Sequence, residues 1–162
     1  MDDAMEIIQD ELDDIGFVNL VRGAMEFGPR ALCNTTTLAR PEEEVAQTIN
    51  RINARTMEMP FAPVVTKQQA DEHFKDCEHI HKSLEYMIVT RDYKPGHGEK
   101  LPGAAHHYPE SNVYTGRPQI TSDPHLVQLL DKNGLLINTS FNFHGVPIVR
   151  SKEQIIHTHV NQ

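Results

Sequence analysis

The segment that most constrains this chain is the apolar run Leu135-Leu136-Ile137-Asn138, which passes directly into Thr139-Ser140-Phe141-Asn142-Phe143-His144-Gly145-Val146-Pro147. The pattern predicts a buried strand that ends in a turn crowded with short hydrogen-bonding side chains. Gly145 allows a positive φ or the close approach of a ligand to the backbone. Strand ends are where open α/β sheets hold their ligands. An ordinary hairpin turn needs one or two such residues, so this density of polar groups points to a site.

The chain has 162 residues, enough for one domain with a real core and hardly enough for two. Its formal net charge of -8 argues against gripping nucleic acid unaided, so such a substrate would have to lie on another subunit. No apolar run reaches membrane-span length, and the N-terminal residues lack a signal-peptide pattern. Cys33 and Cys77 make no disulfide framework, and a reducing cytoplasm is the simplest setting.

Periodicity places a helix over residues 5–12, ended by Gly16, and a strand over 17–21. The next 20 residues read as irregular. Pro41 and the acids Glu42, Glu43 and Glu44 open a second helix with Val45, Ile49 and Ile52 on its buried face. The proline-bounded run 60–65 reads as a strand near an edge or bulge. A helix over 67–75 and a strand over 86–90 follow, then a long loop over 92–115. Asp123-Pro124 starts a helix that Gly134 closes, and Ser151 with Gln154 forms a capping box for a last helix of about two turns. This alternation predicts one α/β (α+β) domain.

Three segments supply cations suited to anionic ligands. Arg30 sits among glycines and a proline in Met25-Glu26-Phe27-Gly28-Pro29-Arg30-Ala31-Leu32. Arg51 and Arg55 are four apart, which on a helix puts them on one face to bracket an anion. Arg117-Pro118-Gln119 brings a further cation after the long loop. Taken alone, the Arg30 segment reads more readily as a surface salt bridge and the Arg51/Arg55 pair as a solvated basic face, and Arg117-Pro118-Gln119 is weak evidence. The ten histidines, including His79, His81, His106, His107, His157 and His159, lack the paired spacing of a zinc site, so no metal ligand is assigned. Ser140 and His144 have no glycine-flanked elbow or orienting acid to make them a nucleophile pair.

Taken together, these segments resemble the C-terminal domain of the O-carbamoyltransferases of the NodU/CmcH/TobZ type. The segment Met25–Leu32 matches that family's M-E-F-G-P-R-A-L, and Asn50–Pro63 looks like its N-x-x-I-K-x-R segment running into P-F-A-P. Arg117-Pro118-Gln119 resembles its R-P-Q, and Asn138–Pro147 its N-T-S-F-N-x-H-G-x-P. The resemblance implies a single YrdC-like domain, a twisted mixed sheet flanked by helices, over 1–162. It also implies carbamoyl-adenylate formation from carbamoyl phosphate and ATP with Mg2+. Arg30, Arg55 and Arg117 would clamp phosphate and carbamoyl oxygens. Asn138, Thr139, Ser140, Asn142, His144 and Gly145 would hold the nucleotide. The carbamoyl group would pass to a hydroxyl acceptor (a sugar, an antibiotic or a hydroxymethylated pyrimidine) on a TsaD-like partner carrying iron.

The departures from that pattern are specific. The family's glycine after A-L is Cys33, and its N-R-S reads Asn34-Thr35-Thr36, without the arginine. The lysine of I-K-x-R is Asn53, the following acid is Thr56, and an arginine of many members is Met59. A TsaD-like domain ahead of this one and the family's last strand are expected to be lacking. The loss of two cations keeps open a degenerate, nucleotide-binding regulatory subunit.

Overall fold

The computed structural model describes residues 3–55 and 61–162 of the chain; Thr56, Met59 and Pro60 lie outside the described residues. In chain order the elements are α1 (Asp3–Asp14), β1 (Phe17–Val21), β2 (Thr35–Ala39), α2 (Glu43–Ile52), β3 (Ala62–Val65), α3 (Lys67–His73) and α4 (His81–Leu84). There follow β4 (Arg91–Asp92), β5 (His106–Tyr108), β6 (Val113–Gly116), β7 (Gln119–Ile120), α5 (Pro124–Asn133), β8 (Leu136–Ser140) and α6 (Lys152–Asn161). Five strands form one mixed sheet in the order β1-β2-β8-β3-β7, with only β3 and β7 parallel. A small antiparallel sheet, β4-β6-β5, packs beside it.

Strand alternation divides the core between the two faces of the main sheet. Leu38, Val64 and Leu136 point to one side, where Met5 and Leu12 of α1 and Leu126, Leu129 and Leu130 of α5 cover them. Their neighbours Ala39, Val65 and Ile137 point to the other, against Ile49, Phe61, Phe74, Leu84 and Tyr93. Covered on both faces, β3 and the first half of β8 are apolar runs with no polar alternation. Truncating Leu38 or Ile137 to alanine would cost about 2–5 kcal/mol. Among the described residues no helix is long and apolar enough to cross a membrane.

Several expectations are corrected. The irregular stretch after β1 contains β2, whose Thr35, Thr36 and Thr37 are buried inside the sheet. A polar threonine run carries no apolar period, so the strand was invisible to pattern. Residues 86–90 form no strand: α4 ends in a turn, and Met87 sits at φ +54. The loop 92–115 supplies most of the second sheet. β3 is interior rather than an edge, and Pro63 is tolerated there because β7 pairs only with Val64 and Val65. α6 runs ten residues, longer than two turns. Its Ser151 accepts from the Gln154 N–H, but Gln154 reaches back to the Arg150 N–H, so the reciprocal box is incomplete.

Asp123 joins two parts of this frame. It caps α5 by accepting from the His125 and Leu126 N–H groups, and it pairs with Arg22 at 3.0 Å. Burial alone would raise its carboxyl, but the Arg22 bond and the two backbone donors leave it below its ordinary value. A depressed folded-state pKa means stability that is present above the unfolded value and lost as pH falls through the folded one. Asp123→Ala should therefore cost about 1 kcal/mol at neutral pH, with the gap to wild type closing in chemical denaturation below the ordinary carboxylate range. A gap independent of pH would contradict this.

Candidate anion-binding site

Three chain segments converge at the β8 end of the sheet. Asn138 is almost fully buried, and its Nδ2 donates to the Ala31 carbonyl at 2.7 Å and to Gln119 Oε1 at 2.6 Å. Its Oδ1 accepts from the Thr36 hydroxyl. One amide thus fixes the residue after Arg30, the residue two past Arg117, and the neighbouring strand. Two positions along β8, the Ser140 hydroxyl accepts from Arg55 Nη2 at 2.9 Å.

The result is a pocket of about 130 Å³ lined by Arg30, Arg55 and Arg117 together with Pro29, Ala31, Phe61, Ala62, Met87, Asn138, Thr139 and Ser140. Among the described residues no carboxylate lines it. Among the described residues, none of the three guanidiniums forms an ion pair. The Nε atoms of Arg55 and Arg117 are buried with no hydrogen-bond partner among the described residues. Burial pulls both guanidiniums below their ordinary pKa, and Arg30 adds to the effect at Arg117. Arginine stays charged under such shifts. Three converging cations, with unfilled donors and no counter-charge among the described residues, have the chemistry that suits an anion.

Arg55 reaches the pocket in a way the helical pairing with Arg51 did not foresee. α2 stops at Ile52, Asn53 caps it, and Ala54 turns the chain at φ +52. Arg55 therefore leaves the helix to lie 6.0 Å over the Phe61 ring, while Arg51 stays exposed beside Thr48. Bracketing of an anion by Arg51 and Arg55 is overturned by that break.

The polar turn after β8 divides. Asn138, Thr139 and Ser140 line the pocket; Asn142, His144 and Gly145 do not. Asn142 braces the turn, donating to the Phe143 and Val146 carbonyls at 2.8 and 2.6 Å, and its Oδ1 is buried without a partner. His144 is exposed and donates its backbone N–H to the Asn53 carbonyl. Gly145 adopts φ +80, the conformation that calls for glycine. Asn53, standing where the resemblance has a lysine, is fully buried and accepts from Gln162 at 2.6 Å. Cys33 takes φ +70, the left-handed region in which the family's glycine is at ease. Burial pushes its thiol up to about 12.

Sequence reasoning missed Met87 and Phe61 as pocket walls, and missed the cleft beyond them. That cleft, about 820 Å³, shares Pro29, Arg30, Met87 and Arg117 with the pocket and is rimmed by Met25, Phe27, Tyr86 and Ile88. All four rim side chains are exposed, and Phe27 is fully so at 109%. The histidines form surface and pairwise contacts: His73 with His97 at 3.0 Å and His81 with Asp71 at 2.7 Å. Among the described residues no group of three or more His, Cys, Asp or Glu is placed to hold a metal.

The family described as Carbamoyltransferase C-terminus matches residues 9–162. The chain belongs to that family. A protein of Methanocaldococcus jannaschii is 33% identical over 93% of this chain and 25% of its own length. The 3'-hydroxymethylcephem-O-carbamoyltransferase of Amycolatopsis lactamdurans is 30% identical over 84% of this chain and 26% of its own. The chain thus spans about a quarter of these relatives. Among solved structures, full-length HypF matches with a TM-score of 0.69 at 15% identity, covering 99% of this chain and 20% of that one. P. abyssi Sua5 matches at 0.63 and 10% identity, over 95% and 45%. These likenesses show the fold, which is YrdC-like.

The uncompensated cations have a measurable consequence. A partly buried guanidinium whose Nε has no partner among the described residues destabilises the free chain, and sites of this kind commonly trade stability for function. Arg117→Met should raise the melting temperature of the ligand-free chain. Added phosphate should then stabilise wild type more than the variant. A lower melting temperature for the variant would contradict a strained cation cluster.

Proposed function

We propose that this domain activates a carbamoyl group for O-carbamoyl transfer, forming carbamoyl-adenylate from carbamoyl phosphate and ATP. The observation that carries the reading is a pocket of three arginines that form no ion pair among the described residues, in a chain of the carbamoyltransferase C-terminal family. Water first cleaves carbamoyl phosphate to carbamate and inorganic phosphate; attack of a carbamate oxygen on the α-phosphorus of ATP, with pyrophosphate leaving, then crowds negative charge into one place. Catalysis of such a step is positioning and cationic stabilisation, with no covalent nucleophile needed. Arg55, steadied by Ser140 and Phe61, and Arg117, facing Arg30, are the groups suited to the phosphoryl oxygens. Thr139 and Ser140 offer the nearest hydroxyls.

The acceptor step belongs to a partner. In this reading the carbamoyl group passes to a hydroxyl on a TsaD-like domain or subunit, where iron is expected. The exposed apolar rim of Met25, Phe27, Tyr86 and Ile88 around the cleft supports a covered, water-excluding mouth in the working assembly. A cytoplasmic setting and a sugar, antibiotic or hydroxymethylated pyrimidine acceptor belong to the same proposal. A second reading, a nucleotide-binding regulatory subunit, is favoured by the neutral, buried side chains of Thr35 and Asn53 where the family pattern has cations.

The test is carbamoyl-phosphate-dependent release of pyrophosphate from Mg-ATP, alone and with a TsaD-like partner. Arg55→Ala should lower the rate at least about a hundredfold, on the scale of losing one preorganised stabilising group, with the domain still folded. Nucleotide binding without pyrophosphate release under either condition would select the regulatory reading.

A further inference from the structure

The segment that carries Arg30 has no regular structure, so its backbone donors need partners other than a strand ladder. Glu26 supplies them. Its Oε1 alone accepts from the N–H groups of Leu32 at 2.6 Å, Asn34 at 2.8 Å and Thr35 at 3.2 Å. The side chain is 8% exposed, and Oε2 is buried with no partner. The positive φ of Cys33 turns the chain so that donors on both sides of it converge on one oxygen, as in backbone nests that bind external anions. Here the anion is the chain's own.

The loop is closed around that carboxylate. The Arg22 N–H donates to the Asn34 carbonyl at 2.8 Å, Arg22 Nε to the Cys33 carbonyl at 2.9 Å, and Asn34 Nδ2 to the Ala24 carbonyl at 3.1 Å. Arg30 and Ala31 lie between Glu26 and its three donors in sequence, and Ala31 is pinned from the other side by Asn138. Arg30 is itself exposed, and among the described residues its guanidinium is tied only to the adjacent Pro29 carbonyl. Its placement over the pocket therefore depends on the loop.

We propose that Glu26 is a positioning residue for the anion pocket. It presents Arg30 by holding the loop through one acceptor oxygen, and serves as a hydrogen-bond acceptor rather than as an acid, base or metal ligand. Glu26 is absent from the lining of the arginine pocket and contributes to the wall of the adjoining cleft. Its second oxygen is engaged by nothing among the described residues. Glutamine keeps the acceptor in place and exchanges one unpartnered atom for another; alanine strands three backbone donors. The anion-binding half of this inference rests on the functional reading above, while the loop-holding half does not.

Two readouts on Glu26→Gln and Glu26→Ala test it: amide hydrogen exchange by NMR, and calorimetric affinity for pyrophosphate. In wild type and Glu26→Gln the amides of Leu32, Asn34 and Thr35 should be protected, with affinities agreeing within about threefold. In Glu26→Ala those amides should exchange freely, with the Ile137 amide still protected, and affinity should fall about tenfold or more, as for a lost charge-assisted contact. Equal losses in the two variants would overturn the neutral-acceptor role. Full protection or full affinity in Glu26→Ala would overturn positioning while leaving the functional reading intact. Failure of wild type to bind pyrophosphate would sink the functional reading and the positioning role with it, and protection lost only in Glu26→Ala would still assign loop closure to Glu26.

Discussion

The buried amide of Asn138 is the joint on which the site depends. It sits in the middle strand of the sheet, and its two donors and one acceptor engage the arginine-bearing loop, the Gln119 strand and Thr36. Arg30 and Arg117 are attached to the partners it holds, and Ser140, two residues further along the same strand, holds Arg55. A satisfied buried polar network of this kind specifies one arrangement, because any other leaves its donors without partners. The three cations are therefore placed from the core outward rather than by contacts among themselves.

That arrangement separates the source of stability from the source of function. The two apolar layers, packed by α1 and α5 on one face and by Ile49, Phe61, Phe74 and Tyr93 on the other, hold the sheet. The site adds only like charges, a loop closed on a carboxylate and an exposed aromatic, each costly in the free chain. Such features persist where the surrounding structure over-determines them. The apolar rim and the unfilled donors of Arg55 and Arg117 are both unmet demands, and they lie on the same side of the sheet, around one connected opening.

Much of this was legible in the sequence. Helices α1, α2, α5 and α6 and strands β1 and β8 announce themselves by period, caps and the glycines at 16 and 134. The convergence of Arg30, Arg55 and Arg117 follows from the family resemblance, not from spacing, since the three lie on separate loops. What stayed hidden has physical reasons. β2 is threonine-rich and buried by hydrogen bonding rather than by apolar side chains. The run 86–90 has strand-like composition, but tertiary packing holds it as the turn after α4, with Met87 at a positive φ that composition does not signal. Arg55 leaves its expected helix face because α2 ends three residues earlier. The division of the polar turn, with Ser140 facing the pocket and Asn142 bracing the backbone, depends on which side chains the turn itself consumes.

The most direct test of a polyphosphate site at the three arginines is an experimental structure with a non-hydrolysable ATP analogue and Mg2+. The account predicts phosphate oxygens within hydrogen-bonding distance of Arg55 and Arg117, beside Ser140, with the remainder of the nucleotide in the cleft walled by Met25, Phe27 and Met87. Phosphates seated elsewhere, for instance between the Pro147 turn and His157 of α6, would contradict it.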